Sequence, residues 1–255
     1  MIEEEKIRDN MLRFKSIINT EFSGDRLKKI LNMVECIEDR MAVAPASSKE
    51  YYHSAFVGGY LEHVLQVFDI AMELYDGIYA KYKNTDSFTR EELVLSVLFH
   101  DLGKVGDANN EFYIFQTNKW RRDTLKELYM PNPNIPNMDT ADRSLYLLQY
   151  FDITLTQNEW ITIKIHDGMY SEANAKYFSV YNEDQVLKTM LPYIVHVADL
   201  LSSRFEYDKW ASPKSKNEFV DKDDDFIPTN KIKSKKTLSG VLEGGTFDMT
   251  NMFES

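Results

Sequence analysis

LVLSVLFHDLGKV, residues 93–105, runs from Leu93 to Phe99 with only Ser96 polar and then stops on His100 and Asp101 side by side. A helix apolar on most sides belongs inside a protein. Burying a carboxylate at its end is costly unless that carboxylate is paired or coordinates a metal. The free carbonyls of a helix C-terminus add partial negative charge, so a cation placed there gains further stabilisation. Upstream, Thr89-Arg90-Glu91-Glu92 has the spacing of a capping box, in which the threonine and Glu92 satisfy each other's free amides. Gly103 is expected to stop the helix. The stretch therefore predicts a buried helix that delivers two metal-ligand side chains to one end.

The same combination recurs elsewhere in the chain. GGYLEHVLQVF, residues 58–68, places His63 in an apolar helical pattern. IKIHDG, residues 163–168, ends a helix on His166 and Asp167 just before Gly168. MLPYIVHVADLLSSRF, residues 190–205, carries His196 and Asp199 three apart and so on one helical face. A single histidine on an apolar face is more often a satisfied core residue than a ligand. All five histidines, His53, His63, His100, His166 and His196, lie at helix ends or on apolar helices. One core would then need several unrelated buried polar groups. A shared cation satisfies all of them together, and imidazole with carboxylate suits Zn, Fe, Mn, Co or Ni.

Ten glycines and seven prolines in 255 residues, with apolar residues three and four apart, predict an all-α fold. Residues 3–20 and 25–42 read as amphipathic helices, followed by a loop, AVAPASSKEYYHSAF, over 42–56. A helix of about twenty-five residues then begins at Gly58-Gly59. Residues 104–139 read as an irregular insertion with a short hairpin around EFYIFQ, and Thr140 starts a helix through Tyr150. Thr156-Gln157-Asn158-Glu159 is a second capping box. A last helix covers 185–208, with Pro192 either kinking it or marking its true start. This divides the chain into N-terminal helices packing on the core (1–49), a main domain (50–211) and a polar C-terminal tail (212–255).

With 41 acidic and 30 basic side chains the formal charge is −11. That opposes stable binding to long nucleic acid, whose affinity comes from Lys and Arg meeting phosphates, but allows capture of a small phosphorylated molecule. No run of apolar residues is long enough to cross a membrane, and MIEEEKIRDN is acidic where a signal peptide is basic and then apolar. A cytoplasmic location is expected. Cys36, the single cysteine, leaves no thiolate cluster for zinc.

His63, then His100-Asp101, then Asp199 resembles the H…HD…D order of the HD-domain metal-dependent phosphohydrolases, an all-helical family. HSAFVGGYLEHVLQV (53–67) is similar to that family's first-histidine helix, HDLGKV (100–105) to its central motif, IHDG to its histidine-glycine turn, and IVHVADLL (194–201) to its last-aspartate helix. The wording is most similar to HD 3′–5′ exoribonucleases and to HD proteins of bacteriophages, which would place the chain in a host cytoplasm. The resemblance covers residues 50–210 and implies a helical bundle with the irregular insertion after the HD helix. It also implies that His63, His100, Asp101 and Asp199 hold one divalent ion, that Asp101 bridges to a second, and that His166 and His196 complete a two-metal site. Mn, Fe, Co, Ni, Zn and Mg are not distinguished. Where relatives often have two histidines before the glycine, this chain has His166 followed by Asp167.

Phosphoester hydrolysis needs a nucleophilic water, neutralised phosphoryl oxygens and a proton for the leaving oxygen. Asp101 is the central catalytic candidate. Lys104 could hold a phosphate as a point charge, against its ordinary reading as a lysine favoured by the helix dipole. His53 could protonate the leaving group or orient a phosphate. Lys119, Arg121 and Arg122 form a basic cluster that could grip substrate phosphates, although such runs are more often solvated surface. The expected function is hydrolysis of a phosphoester or phosphoanhydride in a nucleotide or short oligonucleotide, in a protein free to form a homo-oligomer. Two alternatives stand beside it. A di-iron HD-domain oxygenase would show iron with O₂ uptake, and a non-catalytic nucleotide-binding protein would lack ligands that this chain retains.

Overall fold

The computed structural model describes residues 3–180 and 182–212. It is mostly helical with one small sheet, as the all-α expectation requires. Helices α1 (Glu4–Glu21) and α2 (Gly24–Val43) pack together. Their buried rows, Met11, Phe14 and Ile18 on α1 and Ile30, Val34 and Ile37 on α2, merge into one apolar cluster with the helices that follow, because spacings of three and four keep each row on one face. Helix α3 (Gly59–Glu73) continues through a π-helical stretch, Leu74–Tyr79, into a single turn, α4 (Ala80–Tyr82).

Helix α5 (Arg90–Phe99) is central: every residue from Glu92 to Phe99 is buried. Around it pack α3, α8 (Gln157–Ile165) and α10 (Leu191–Ala211). The α-helix ends at Phe99, earlier than the glycine suggested, and a 3₁₀ turn covers Leu102–Lys104. Gly103 serves close approach. A Cβ there would lie 2.2 Å from the carbonyl oxygen of Thr140, at the start of α7 (Thr140–Tyr150). The Gly103 amide donates to Ser144 Oγ at 2.8 Å, and that hydroxyl lies 2.9 Å from the His100 carbonyl oxygen. Buried Arg143 adds bonds to the carbonyls of Gly103, Pro136 and Met138. The end of the His-Asp helix is thus clamped by α7.

Two expectations need correction. EFYIFQ does contain a strand, β1 (Tyr113–Phe115), but its antiparallel partner is β2 (Tyr129–Pro131), with α6 (Lys119–Leu125) between them. Asn118 caps that helix by accepting from the Arg121 amide, so NKWRRD folds helically instead of closing a tight hairpin. The last helix begins at Leu191 and not at 185, so of the two readings of Pro192 the one that marks the helix start holds: the proline sits in the first turn, where a missing N–H leaves no bond unmade. Before it, residues 168–180 form short 3₁₀ turns and one brief helix, α9 (Ala175–Phe178). The polar tail expected over 212–255 lies, apart from Ser212, outside the described residues. No helix among the described residues is long and apolar enough to cross a membrane.

Candidate metal centre

Two helices of nearly equal length, ten and nine residues, bring the first pair of histidines together. Both capping boxes form, Thr89 with Glu92 on α5 and Thr156 with Glu159 on α8. They are also joined to each other: Glu92 Oε1 accepts from Thr156 Oγ1 at 2.7 Å and from Asn158 Nδ2 at 3.1 Å. Arg26 of α2 bridges Glu91 at 2.8 Å and Glu159 at 2.6 Å. From these aligned starts, His100 lies eleven residues after Thr89 and His166 ten after Thr156, rises of about 16 Å and about 15 Å at 1.5 Å per residue. The two residues cap their helices at the same depth, with ring centroids 4.8 Å apart.

His63 on α3 and Asp199 on α10 complete the cluster. The His63 ring lies 5.7 Å from that of His100. Asp199 Oδ1 is 3.1 Å from His63 Nε2 and 3.9 Å from His100 Nε2. Asp101 faces both sides. Its Oδ2 is 3.5 Å from His63 Nε2 and 3.4 Å from His100 Nε2, while Oδ1 is 3.5 Å from His166 Nε2. Ligand atoms about 2.1 Å from one ion stand about 3.0–3.5 Å apart, and apart from the 3.9 Å between Asp199 and His100 these separations fall in that range. Four overlapping sets could hold a metal ion: His53, His63 and Asp101; His63, His100 and Asp199; His100, Asp101 and His166; and His166, Asp167 and Asp199.

The ring orientations suit that role. His100 Nδ1 lies 2.8 Å from the Val97 carbonyl and His166 Nδ1 2.8 Å from the Ile163 carbonyl. A carbonyl only accepts, so each Nδ1 carries a proton and Nε2 is the nitrogen turned toward the carboxylates, able to bind a cation once it carries no proton of its own. The buried Nε2 atoms of His63 and His100 have no hydrogen-bond partner. An orphaned buried nitrogen costs about 1–3 kcal/mol, and a bound cation would remove that cost.

Charge is concentrated here. Burial alone would raise Asp101 and Asp199, but Lys104 and His100 beside the first and His63 beside the second hold both below the usual carboxylate range. Burial opposes a proton on His166, yet Asp167 and Asp101 outweigh it and lift that pKa to about 9. The same contest at His63 is won by Asp101, Asp199 and Glu206, which raise it well above normal. A raised histidine stabilises the fold fully below its unfolded pKa of about 6.5 and loses that contribution as pH rises through the folded value. Chelator-treated protein is therefore expected to lose about 3 kcal/mol from His166 between pH 6.5 and 9. Urea midpoints across that window check it. A flat profile would mean that the carboxylates do not hold the ring.

The remaining candidates divide. Lys104 sits at the centre, its Nζ 2.5 Å from Asp101 Oδ2 and 3.3 Å from His53 Nε2. His53 stacks near His63 with centroids 4.6 Å apart, and burial, then Lys104, push its pKa down to about 3. The loop carrying it touches the start of α3 closely: a Cβ on Gly59 would lie 2.0 Å from the Ser54 carbonyl oxygen. His196 joins none of the four sets. Its Nδ1 lies 2.8 Å from the His166 carbonyl, and its ring rests on Gly168, whose φ of +56° and lack of a Cβ make room for it. Arg121 is engaged by Glu127 at 2.6 Å and Arg122 by Asp123 at 3.5 Å, within the insertion. Neither they nor exposed Lys119 has a described contact with the cluster. What the insertion brings toward Lys104 and Asp101 is Tyr113, on β1, whose burial raises its pKa. Sequence reasoning also missed Glu206, which lies 3.2 Å from His63 Nδ1. Its signal was the spacing of seven from Asp199, which puts both on one helical face.

No protein-family model, curated protein or solved structure matches the chain.

Proposed function

We propose that the chain is a metal-dependent phosphohydrolase of the HD type, cleaving a phosphoester or phosphoanhydride bond of a nucleotide or short oligonucleotide. One observation carries this: the partnerless Nε2 atoms of His63 and His100, buried and facing the oxygens of Asp101 and Asp199. His63, His100, Asp101 and Asp199 would hold one ion. Through its other oxygen Asp101 would share a second with His166, next to Asp167. The imidazole-rich donor set favours Mn, Fe, Co, Ni or Zn over Mg, which prefers oxygen. Bound there, such an ion supplies an acidified water and neutralises charge on phosphoryl oxygens.

The chain's own groups do the rest. Burial alone would lower the Lys104 pKa, but Asp101 holds it above normal, so the ammonium is a permanent positive charge within reach of a phosphate. His53 is neutral at pH 7 and accepts from that ammonium. It aims Lys104 and is not a proton store for the leaving group. A fixed cation beside the acidic ligands suits an anionic substrate, which favours hydrolysis over O₂ chemistry. The formal charge of −11 favours small substrates over long RNA, and nucleotides of the cytoplasm are the expected pool.

The test is a panel of nucleotides and short oligonucleotides, assayed with Mn, Co, Ni, Fe, Zn and Mg and read as released phosphate or shortened product. Turnover with a transition metal, abolished by chelator, is expected. Silence on the whole panel, or iron-dependent O₂ uptake in its place, would remove the hydrolase reading.

A further inference from the structure

Asp199 is not the only acidic side chain of α10 that reaches His63. Glu206 follows it by two helical turns on the same face and places Oε1 3.2 Å from His63 Nδ1. That oxygen also accepts from Ser202 Oγ at 3.2 Å, and Oε2 accepts from Ser54 Oγ at 2.5 Å. Both oxygens are thus occupied from inside the protein, and the side chain is 13% exposed.

A carboxylate only accepts, so Nδ1 of His63 must carry a proton, which makes Nε2, between Asp101 and Asp199, the nitrogen that would meet an ion. His100 and His166 receive the same tautomer from backbone carbonyls. His63 alone receives it from a full negative charge, which makes its Nε2 a stronger donor. Ser54 follows His53 directly, so the bond to Oε2 ties the loop behind Lys104 to the same carboxylate.

We infer, resting on the metal-centre reading above, that Glu206 is a positioning residue that sets His63 as an Nε2 ligand and tightens its hold on the ion, with Ser54 locking the carboxylate in place. Neither residue touches substrate. The probe is Zn²⁺, titrated into the full chain against a chromophoric chelator. Glu206→Gln keeps the shape and one acceptor oxygen but removes the charge, and is expected to weaken Zn²⁺ binding about tenfold or more. Ser54→Ala leaves the charge and frees Oε2, for a loss of about threefold. Imidazole ¹⁵N NMR of the zinc-loaded protein supplies a readout that general loosening would not move selectively: the Nδ1–H of His63 shifts in Glu206→Gln, while those of His100 and His166 stay. Unchanged affinity with an unmoved His63 signal overturns the inference and leaves the metal centre standing. Wild-type protein that binds no Zn²⁺ removes the metal reading and this inference with it. Should Glu206→Gln not fold, Ser54→Ala decides alone, and wild-type affinity with an unshifted His63 signal there overturns the role.

Discussion

Under the proposed hydrolase reading, Asp101→Ala is expected to lose metal binding and activity together while the helical signal survives. The carboxylate touches four groups: His63 Nε2 at 3.5 Å, His100 Nε2 at 3.4 Å, His166 Nε2 at 3.5 Å and Lys104 Nζ at 2.5 Å. Its removal takes away a carboxylate that faces both halves of the site and leaves a buried ammonium among imidazoles. Breaking a buried ion pair costs about 3–5 kcal/mol, which is relieved here if Lys104 turns outward or His63 and His166 give up their protons. The drop in turnover is expected to reach about a thousandfold, or about 4 kcal/mol of barrier. Elemental analysis and turnover on one sample separate the outcomes. Asp101→Ala protein that keeps both metal and activity would show that the reaction centre lies elsewhere.

Gly103→Ala is expected to damage the fold itself, although it adds a single methyl. The new carbon would meet the Thr140 carbonyl oxygen at 2.2 Å and Arg143 Cβ at 2.9 Å. The first is backbone at the start of a helix and cannot swing aside as a side-chain tip would. Either α7 shifts or the turn after α5 does, and both movements break the bond from the Gly103 amide to Ser144 Oγ. Overpacking of this kind costs about 1–3 kcal/mol, and the lost buried hydrogen bond adds about 1 kcal/mol. A fall in thermal midpoint of about 5–10 °C follows for a domain of this size. Because His100 caps the same helix end, weaker metal binding should accompany it. A stable variant with unchanged metal affinity would show that the α7 clamp is not what holds the His-Asp turn.

Legibility in the sequence followed how local the deciding interaction was. Capping boxes are contained within four residues, so Thr89–Glu92 and Thr156–Glu159 could be read directly and both form. The cost of burying several polar side chains pointed to a shared cation, the resemblance to HD-domain proteins singled out His63, His100, Asp101 and Asp199, and their oxygens and nitrogens do meet. His196 misled for the opposite reason. It shares a helical face with Asp199, but periodicity cannot tell a ring aimed into the cluster from one laid over Gly168. The basic run Lys119, Arg121 and Arg122 was conspicuous in composition, yet its arginines pair with Glu127 and Asp123 of their own insertion.

The sequence by itself determined an all-helical chain, where the two capped helices α5 and α8 start, and which imidazoles and carboxylates would be costly to bury alone. These follow from backbone capping and from the expense of desolvating charge, both properties of short stretches. Only the tertiary structure decided the shared depth of His100 and His166, the clamp on Gly103, the turning of Lys104 onto Asp101 and the hold of Glu206 on His63. Each depends on where one helix lies against another to within an ångström, and that is settled by packing across the whole core rather than by any local pattern.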